Sequence, residues 1–254
     1  MAQPAAALSA LFKTLFGHGS QRYVLVDALR GLAVALMIVY HFTFDLDYFG
    51  QVEIDFYNDP FWLAFRALIV TLFLGLVGVS LHLATWRGLE WRRYLRRLGV
   101  VAACAGLVSL GSYLVFPDSM IYFGILHFIV VASILGLPMA RFHRLNLVLG
   151  LVLLAAGLSL QHPLFDHPGL HWVGLMTHKP VTEDYVPLLP WFGVVLLGIY
   201  LGRSLYREPL PALARWRSDH PVVRVLALGG RHSLFIYMVH QPLFFGVLAL
   251  IFVL

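Results

Sequence analysis

Four ionisable side chains interrupt one apolar run, RYVLVDALRGLAVALMIVYHFTFDL: Asp27, Arg30, His41 and Asp45. If the run is helical at about 100° per residue, with Asp27 at about 0°, then Arg30 lies near ~300°, His41 near ~320° and Asp45 back near ~0°. All four share a stripe about 60° wide. A charge in hydrocarbon costs a few kcal/mol, so a stripe this narrow must face a bundle interior or a water-filled cavity. Arg30 and His41 are eleven residues apart, about 16 Å along a helix. A cation at one end and an imidazole at the other suit a long anionic donor that presents its reactive end deep in the membrane. Asp45, one turn beyond His41, can hydrogen-bond a ring nitrogen, fixing the tautomer and strengthening the imidazole as a base. The plainer alternative is an Asp27–Arg30 pair orienting the helix end, with His41 bonding a neighbouring helix.

Further candidates lie in other apolar runs. His127 stands in YFGILHFI, about two turns into its span, and Ser233, Tyr237 and His240 fall on one helical face in GGRHSLFIYMVHQPLF. These could line the cavity that His41 faces, although an isolated membrane histidine is as often a packing hydrogen bond. Arg66, one turn into the second span, either snorkels or binds an anionic acceptor. His82 and His232 sit at helix ends and read as structural. The single cysteine, Cys104, can build neither a disulfide framework nor a cysteine metal site within the chain, and no metal is expected.

The elements that position these residues follow from composition. Of 254 residues, 60% are hydrophobic and 12% charged, with a mean hydropathy of +0.81, too apolar for a soluble domain of this length. Backbone groups in lipid must be satisfied within each segment, which predicts an all-α, polytopic helical bundle. Seven spans are expected: Val24 to Phe44, Phe61 to Trp86, Leu95 to Phe116, Ile121 to Ala140, Leu145 to Leu160, Val186 to Leu205 and Leu234 to Leu254. Residues 1–20 read as an amphipathic surface segment, with no signal-peptide cleavage pattern, and residues 21–254 as the transmembrane domain.

The net charge of +5 would suggest a nucleic-acid partner in a soluble protein, but its distribution reports topology instead. Lys13 and Arg22, then Arg87, Arg92, Arg93, Arg96 and Arg97, then Arg141 and Arg144, then Arg203, Arg207, Arg215, Arg217, Arg224 and Arg231 fall on alternate connections. That is fifteen of the 18 basic residues on one side, which the positive-inside rule makes cytoplasmic, along with the N-terminus. The longest segment on the other side, Gln161 to Tyr185, is rich in His, Pro and Gly and could serve as a lid or acceptor-binding loop.

DALRGLAVALMIVYHF, with its Arg and a His eleven residues on, resembles the signature of a superfamily of transmembrane acyltransferases that includes bacterial O-antigen acetylases. YFGILHFI, VPLLPWFGVVLLGIYLG and GRHSLFIYMVHQP resemble small bacterial members of the catalytic-domain family of heparan-α-glucosaminide N-acetyltransferase. Together these stretches touch spans one, four, six and seven. The resemblance implies acetyl-CoA, or a related acyl donor, used from the cytoplasm to modify an amine or hydroxyl of a sugar at the outer face. Acetyl-CoA is then a co-substrate, with no permanently bound cofactor, in a bacterial cytoplasmic membrane. Arg30 and His41 match the superfamily's Arg and His. The chain has no His between His41 and His82, so His41 as base follows the acetylase branch.

On that reading His41, oriented by Asp45, removes the acceptor's proton, or forms an acyl-His intermediate. Arg30 with Asp27 holds the donor, and Arg96, Arg97 and Arg203 are among the loop arginines that could meet its phosphates. His127, His240, Arg66 and Tyr237 line the acceptor cavity. A homo-oligomer is compatible with the sequence. Two other classes share these features: a proton-coupled transporter or flippase, with the same groups as a relay, and a b-type cytochrome ligated by His41 and His127.

Overall fold

The computed structural model describes residues 23–86, 88–206 and 215–252, and helices are the only regular secondary structure among them. The expected surface segment 1–20, and Lys13, Arg22, Arg87 and Arg207 of the charge count, lie outside the described residues. The helices are α1 Val24–Tyr48, α2 Pro60–Trp86, α3 Trp91–Val115, α4 Ile125–Met139, α5 Arg144–Ser159, α6 Leu188–Leu205, α7 Pro221–Arg231 and α8 Ser233–Phe252. Five of them, α1, α2, α3, α6 and α8, are long and apolar enough to cross a membrane. The other two expected spans, α4 and α5, are apolar but have 15 and 16 residues, about 22–24 Å at ~1.5 Å per residue, short of the roughly 30 Å hydrocarbon layer.

Small residues set the packing, as expected where lipid removes the hydrophobic drive between helices. α2 and α6 run parallel in close contact: a Cβ on Gly78 would lie 2.1 Å from the Val195 carbonyl oxygen, and one on Gly198 2.2 Å from that of Gly75. Around this pair Leu74, Leu81, Phe128, Ala132, Val195, Leu196 and Ile199 form the main core. α5 lies antiparallel on α6 through Gly150 and Gly193. α1 packs on α2 and α8, and α3 packs on α4 with most of its surface open.

α7 lies in a stretch the sequence reading treats as a loop. It crosses α1 so closely that a Cβ on Gly31 would meet the Leu226 carbonyl oxygen at 1.8 Å. Its start is marked by proline in the first turn, where the missing N–H is no loss. The connection before α6 is also ordered, with short 3-10 turns at Pro163–Asp166 and Pro168–Val173. There the Asp166 carboxylate accepts from the Thr177 backbone N–H at 2.8 Å and its hydroxyl at 2.7 Å. His171 stacks further ties onto the turn: its Nε2 meets the Asp166 carbonyl at 2.9 Å, and the Tyr122 hydroxyl meets its Nδ1 at 3.0 Å.

Candidate active site

The stripe on α1 is brought against three other helices. At its Arg30 end, Asp27 accepts from Arg30 Nη1 at 3.1 Å through one carboxylate oxygen and from Arg231 Nε at 3.3 Å through the other. Arg30 Nη2 also donates to the Ser80 hydroxyl on α2 at 3.0 Å. Arg97 on α3 is an electrostatic neighbour of Arg30. Two guanidiniums therefore share the Asp27 carboxylate, with the exposed Arg97 next to Arg30, an arrangement suited to a multiply charged anion. Arg231 comes from α7, a contribution that sequence reasoning missed because only tertiary packing sets it beside Asp27. Arg96 is exposed on α3. Arg203 donates to the Arg141 carbonyl at 2.6 Å, fastening the end of α6 to the turn between α4 and α5.

At the other end, His41 Nδ1 lies 2.6 Å from His240 Nε2 of α8. The two ring planes differ by 13° and their centroids are 4.9 Å apart, close to the largest separation a 2.6 Å contact allows. The rings therefore meet edge to edge in one plane, in line for a hydrogen bond. His41 is half-buried and His240 is buried. Asp45 does not supply the expected partner to His41. It is buried, and its Oδ1 accepts from Gln241 Nε2 at 2.6 Å, because α8 runs parallel to α1 and places His240 and Gln241 against successive turns of it. Asp45 thus ties α8 in register.

His127 does not join this pair. α4 begins at Ile125 rather than Ile121, since the Asp184 carboxylate caps the Ile125 N–H at 2.8 Å from 59 residues further along. His127 consequently lies in the first turn rather than two turns in. Its Nδ1 accepts from the Gly124 N–H at 3.3 Å, and its Nε2 meets the Ser109 hydroxyl at 3.1 Å. Both ring nitrogens are engaged locally, which also leaves the His41–His127 ligand pair of the cytochrome reading unmade.

A third cluster adjoins His41 and His240. Tyr237 carries His240 Nδ1 on its carbonyl at 2.7 Å, while its hydroxyl interacts with Asp184. Arg66 interacts with the Tyr40 hydroxyl and is an electrostatic neighbour of Asp184. Lys179 lies over the Tyr57 ring at 4.3 Å. Burial raises the Asp184 carboxyl above its ordinary range, against the opposing pull of the Ile125 N–H, Arg66 and Lys179. Burial and the neighbouring Arg66 hold the Lys179 ammonium below its usual value. Among the described residues neither Arg66 nor Lys179 has a carboxylate within 4.0 Å. Next to Lys179 opens a cavity of about 220 Å³ lined by Gln161, Thr177, His178 and Tyr185 among others. Asp184 is a site residue that the sequence alone did not single out; its position just ahead of VPLLPWFG was the available signal.

A family model described as heparan-alpha-glucosaminide N-acetyltransferase, catalytic, matches residues 22–242. That span takes in α1 through the first half of α8, including every residue of the three clusters. No curated protein and no solved structure matches the chain.

Proposed function

The chain belongs to the heparan-alpha-glucosaminide N-acetyltransferase catalytic family, and from that premise we propose that it transfers an acetyl group from cytoplasmic acetyl-CoA to an amine or hydroxyl of a sugar at the outer face. The observation that carries this reading is the stripe on α1. Arg30 and His41 lie about 16 Å apart along one helix, and each is held by side chains from another element: Arg30 by Ser80, His41 by His240. Orientation rests on the basic connections, and the proposed topology has all seven apolar helices crossing.

Each cluster then has a part in the reaction. Arg30, Arg97 and Arg231 hold donor phosphates, with Asp27 keeping Arg30 and Arg231 in place. The acceptor approaches past Arg66, Lys179 and Asp184. As the acceptor nitrogen or oxygen attacks the thioester carbonyl, His41 takes its proton, the carbon–sulfur bond breaks, and CoA leaves as the thiolate. General-base assistance of this kind is worth about 10²–10⁴ in rate.

The test is direct. Detergent-purified protein is incubated with acetyl-CoA, and saturable binding and release of free CoA are followed beside Arg30→Ala and His41→Ala. Binding lost in the first variant and turnover lost in the second is the expected result. Full turnover by His41→Ala removes the assignment, and a wild-type protein that binds no acetyl-CoA removes the donor.

A further inference from the structure

His240 reaches His41 from 199 residues away, and its own surroundings determine which nitrogen of His41 is available for chemistry. The Tyr237 carbonyl, 2.7 Å from His240 Nδ1, can only accept a hydrogen bond, so that nitrogen carries a proton. His240 is 5% exposed, and among the described residues no carboxylate lies within 4.0 Å of either imidazole. A second proton on His240 would make a buried cation without a counter-ion. His240 Nε2 is therefore a lone pair, and the proton in the 2.6 Å contact belongs to His41 Nδ1.

We infer that His240 is the positioning residue of His41, holding it as the Nδ1–H tautomer so that His41 Nε2 presents its lone pair to the acceptor. The inference rests on the acyl-transfer reading for its consequence, though not for its geometry. A free neutral imidazole favours the Nε2–H form, which would block the nitrogen that has to accept the proton. When His41 Nε2 takes the acceptor's proton, the resulting imidazolium keeps its Nδ1–H on His240, whose own N–H remains on the Tyr237 carbonyl. The new positive charge is thereby stabilised by a carbonyl, imidazole, imidazole chain in place of the carboxylate of a Ser-His-Asp triad. The Ile236 carbonyl, one residue before that of Tyr237, also accepts from His240, and the side chains around the pair are directed elsewhere. Asp45 binds Gln241, the Tyr237 hydroxyl turns to Asp184, and the Tyr40 hydroxyl turns to Arg66. Phe244 packs against the His240 ring at a centroid distance of 6.2 Å.

The experiment compares wild type, His240→Leu and His240→Gln, each labelled with [15N]histidine in detergent and assigned by difference from His41→Asn. Glutamine can offer its amide oxygen near the Nε2 position; leucine offers no acceptor. The 15N shifts are expected to report Nδ1–H for His41 in wild type and His240→Gln, and Nε2–H in His240→Leu. In acetyl-CoA turnover, His240→Leu is expected to lose about 10²-fold or more in kcat with donor KM unchanged, and His240→Gln to recover most of it. An unaltered His41 tautomer in His240→Leu, or a glutamine variant as impaired as the leucine one, overturns the inference. If His240→Leu does not fold, the glutamine variant and the wild-type tautomer still decide it. A wild-type His41 in the Nδ1–H form in a protein that neither binds nor cleaves acetyl-CoA supports the pairing while overturning the acyl-transfer reading.

Discussion

Replacing Gly230 with alanine will force α7 away from α1. The added Cβ would stand 1.8 Å from the Asp27 carbonyl oxygen, where ordinary contact begins at 3.4 Å. The difference of about 1.6 Å must be absorbed by two helix backbones, since the clashing atom belongs to neither a side chain nor a loop. Overpacking of this kind costs about 1–3 kcal/mol. It also acts on function, because Arg231 Nε lies 3.3 Å from Asp27 Oδ2, and a displacement of that size removes the ion pair that helps to place Arg30. Gly229 supplies an internal control: a Cβ there meets nothing within 4 Å, and alanine improves on glycine in a helix by about 0.8–1.0 kcal/mol. Thermal unfolding in detergent, followed by tryptophan fluorescence, should therefore move in opposite directions for the two adjacent variants. Gly230→Ala should also raise the KM for acetyl-CoA while Gly229→Ala leaves it alone. Equal melting temperatures and equal KM values for the two variants would refute the close-packing argument and, with it, the role given to α7.

Asp45→Asn should leave acetyl-CoA turnover within a few-fold of wild type, because its contact is with Gln241 rather than with His41; a loss as large as that of His41→Ala in the same assay returns Asp45 to the catalytic pair. Arg66→Gln should raise acceptor KM at unchanged donor KM, measured once an acceptor sugar is in hand, and an effect on the donor alone would place Arg66 elsewhere. Thr177 holds the Asp166 carboxyl below its ordinary value of 3.8, so this contact stabilises the loop above that pH and its contribution is lost as pH falls through the lowered value. Amide-exchange protection factors in residues 161–179, taken relative to the intrinsic rate at each pH, should fall on acidification through that range, and Thr177→Val should show the lowered protection already at neutral pH. Asp184 has the opposite sign: its carboxyl is held up by burial, so its unfavourable contribution sets in as pH rises above 3.8. Asp184→Asn should flatten the stability profile just above that value.

Much of this site was legible because helical periodicity is local. Arg30 and His41 fall on one stripe by counting residues, and the apolar runs locate seven of the eight α-helices among the described residues, so the fold class and the elements that carry the site need no tertiary information. Boundaries were less secure. α4 starts four residues late because its cap is Asp184, and a side chain 59 residues away leaves no trace in the local pattern. α7 was hidden among the arginines between α6 and α8, where charge read as loop. Its packing face depends on Gly31 and Gly230 fitting together.

The pairing within the site was decided by the tertiary structure alone. Asp45 is the obvious partner of His41 by sequence, since it lies one turn away, yet α8 inserts His240 and Gln241 between their possible contacts and takes each for itself. Arg231 joins the stripe at Asp27, and Asp184 meets Tyr237 on α8, in the same way, from elements distant in the chain. The sequence by itself determined a membrane bundle with an arginine and a histidine aligned on its first helix, because hydrophobicity and the 3.6-residue turn act over neighbouring residues. The tertiary structure decided which groups hold that arginine and that histidine, because hydrogen bonds between helices depend on how the helices pack and not on how far apart they lie in the chain.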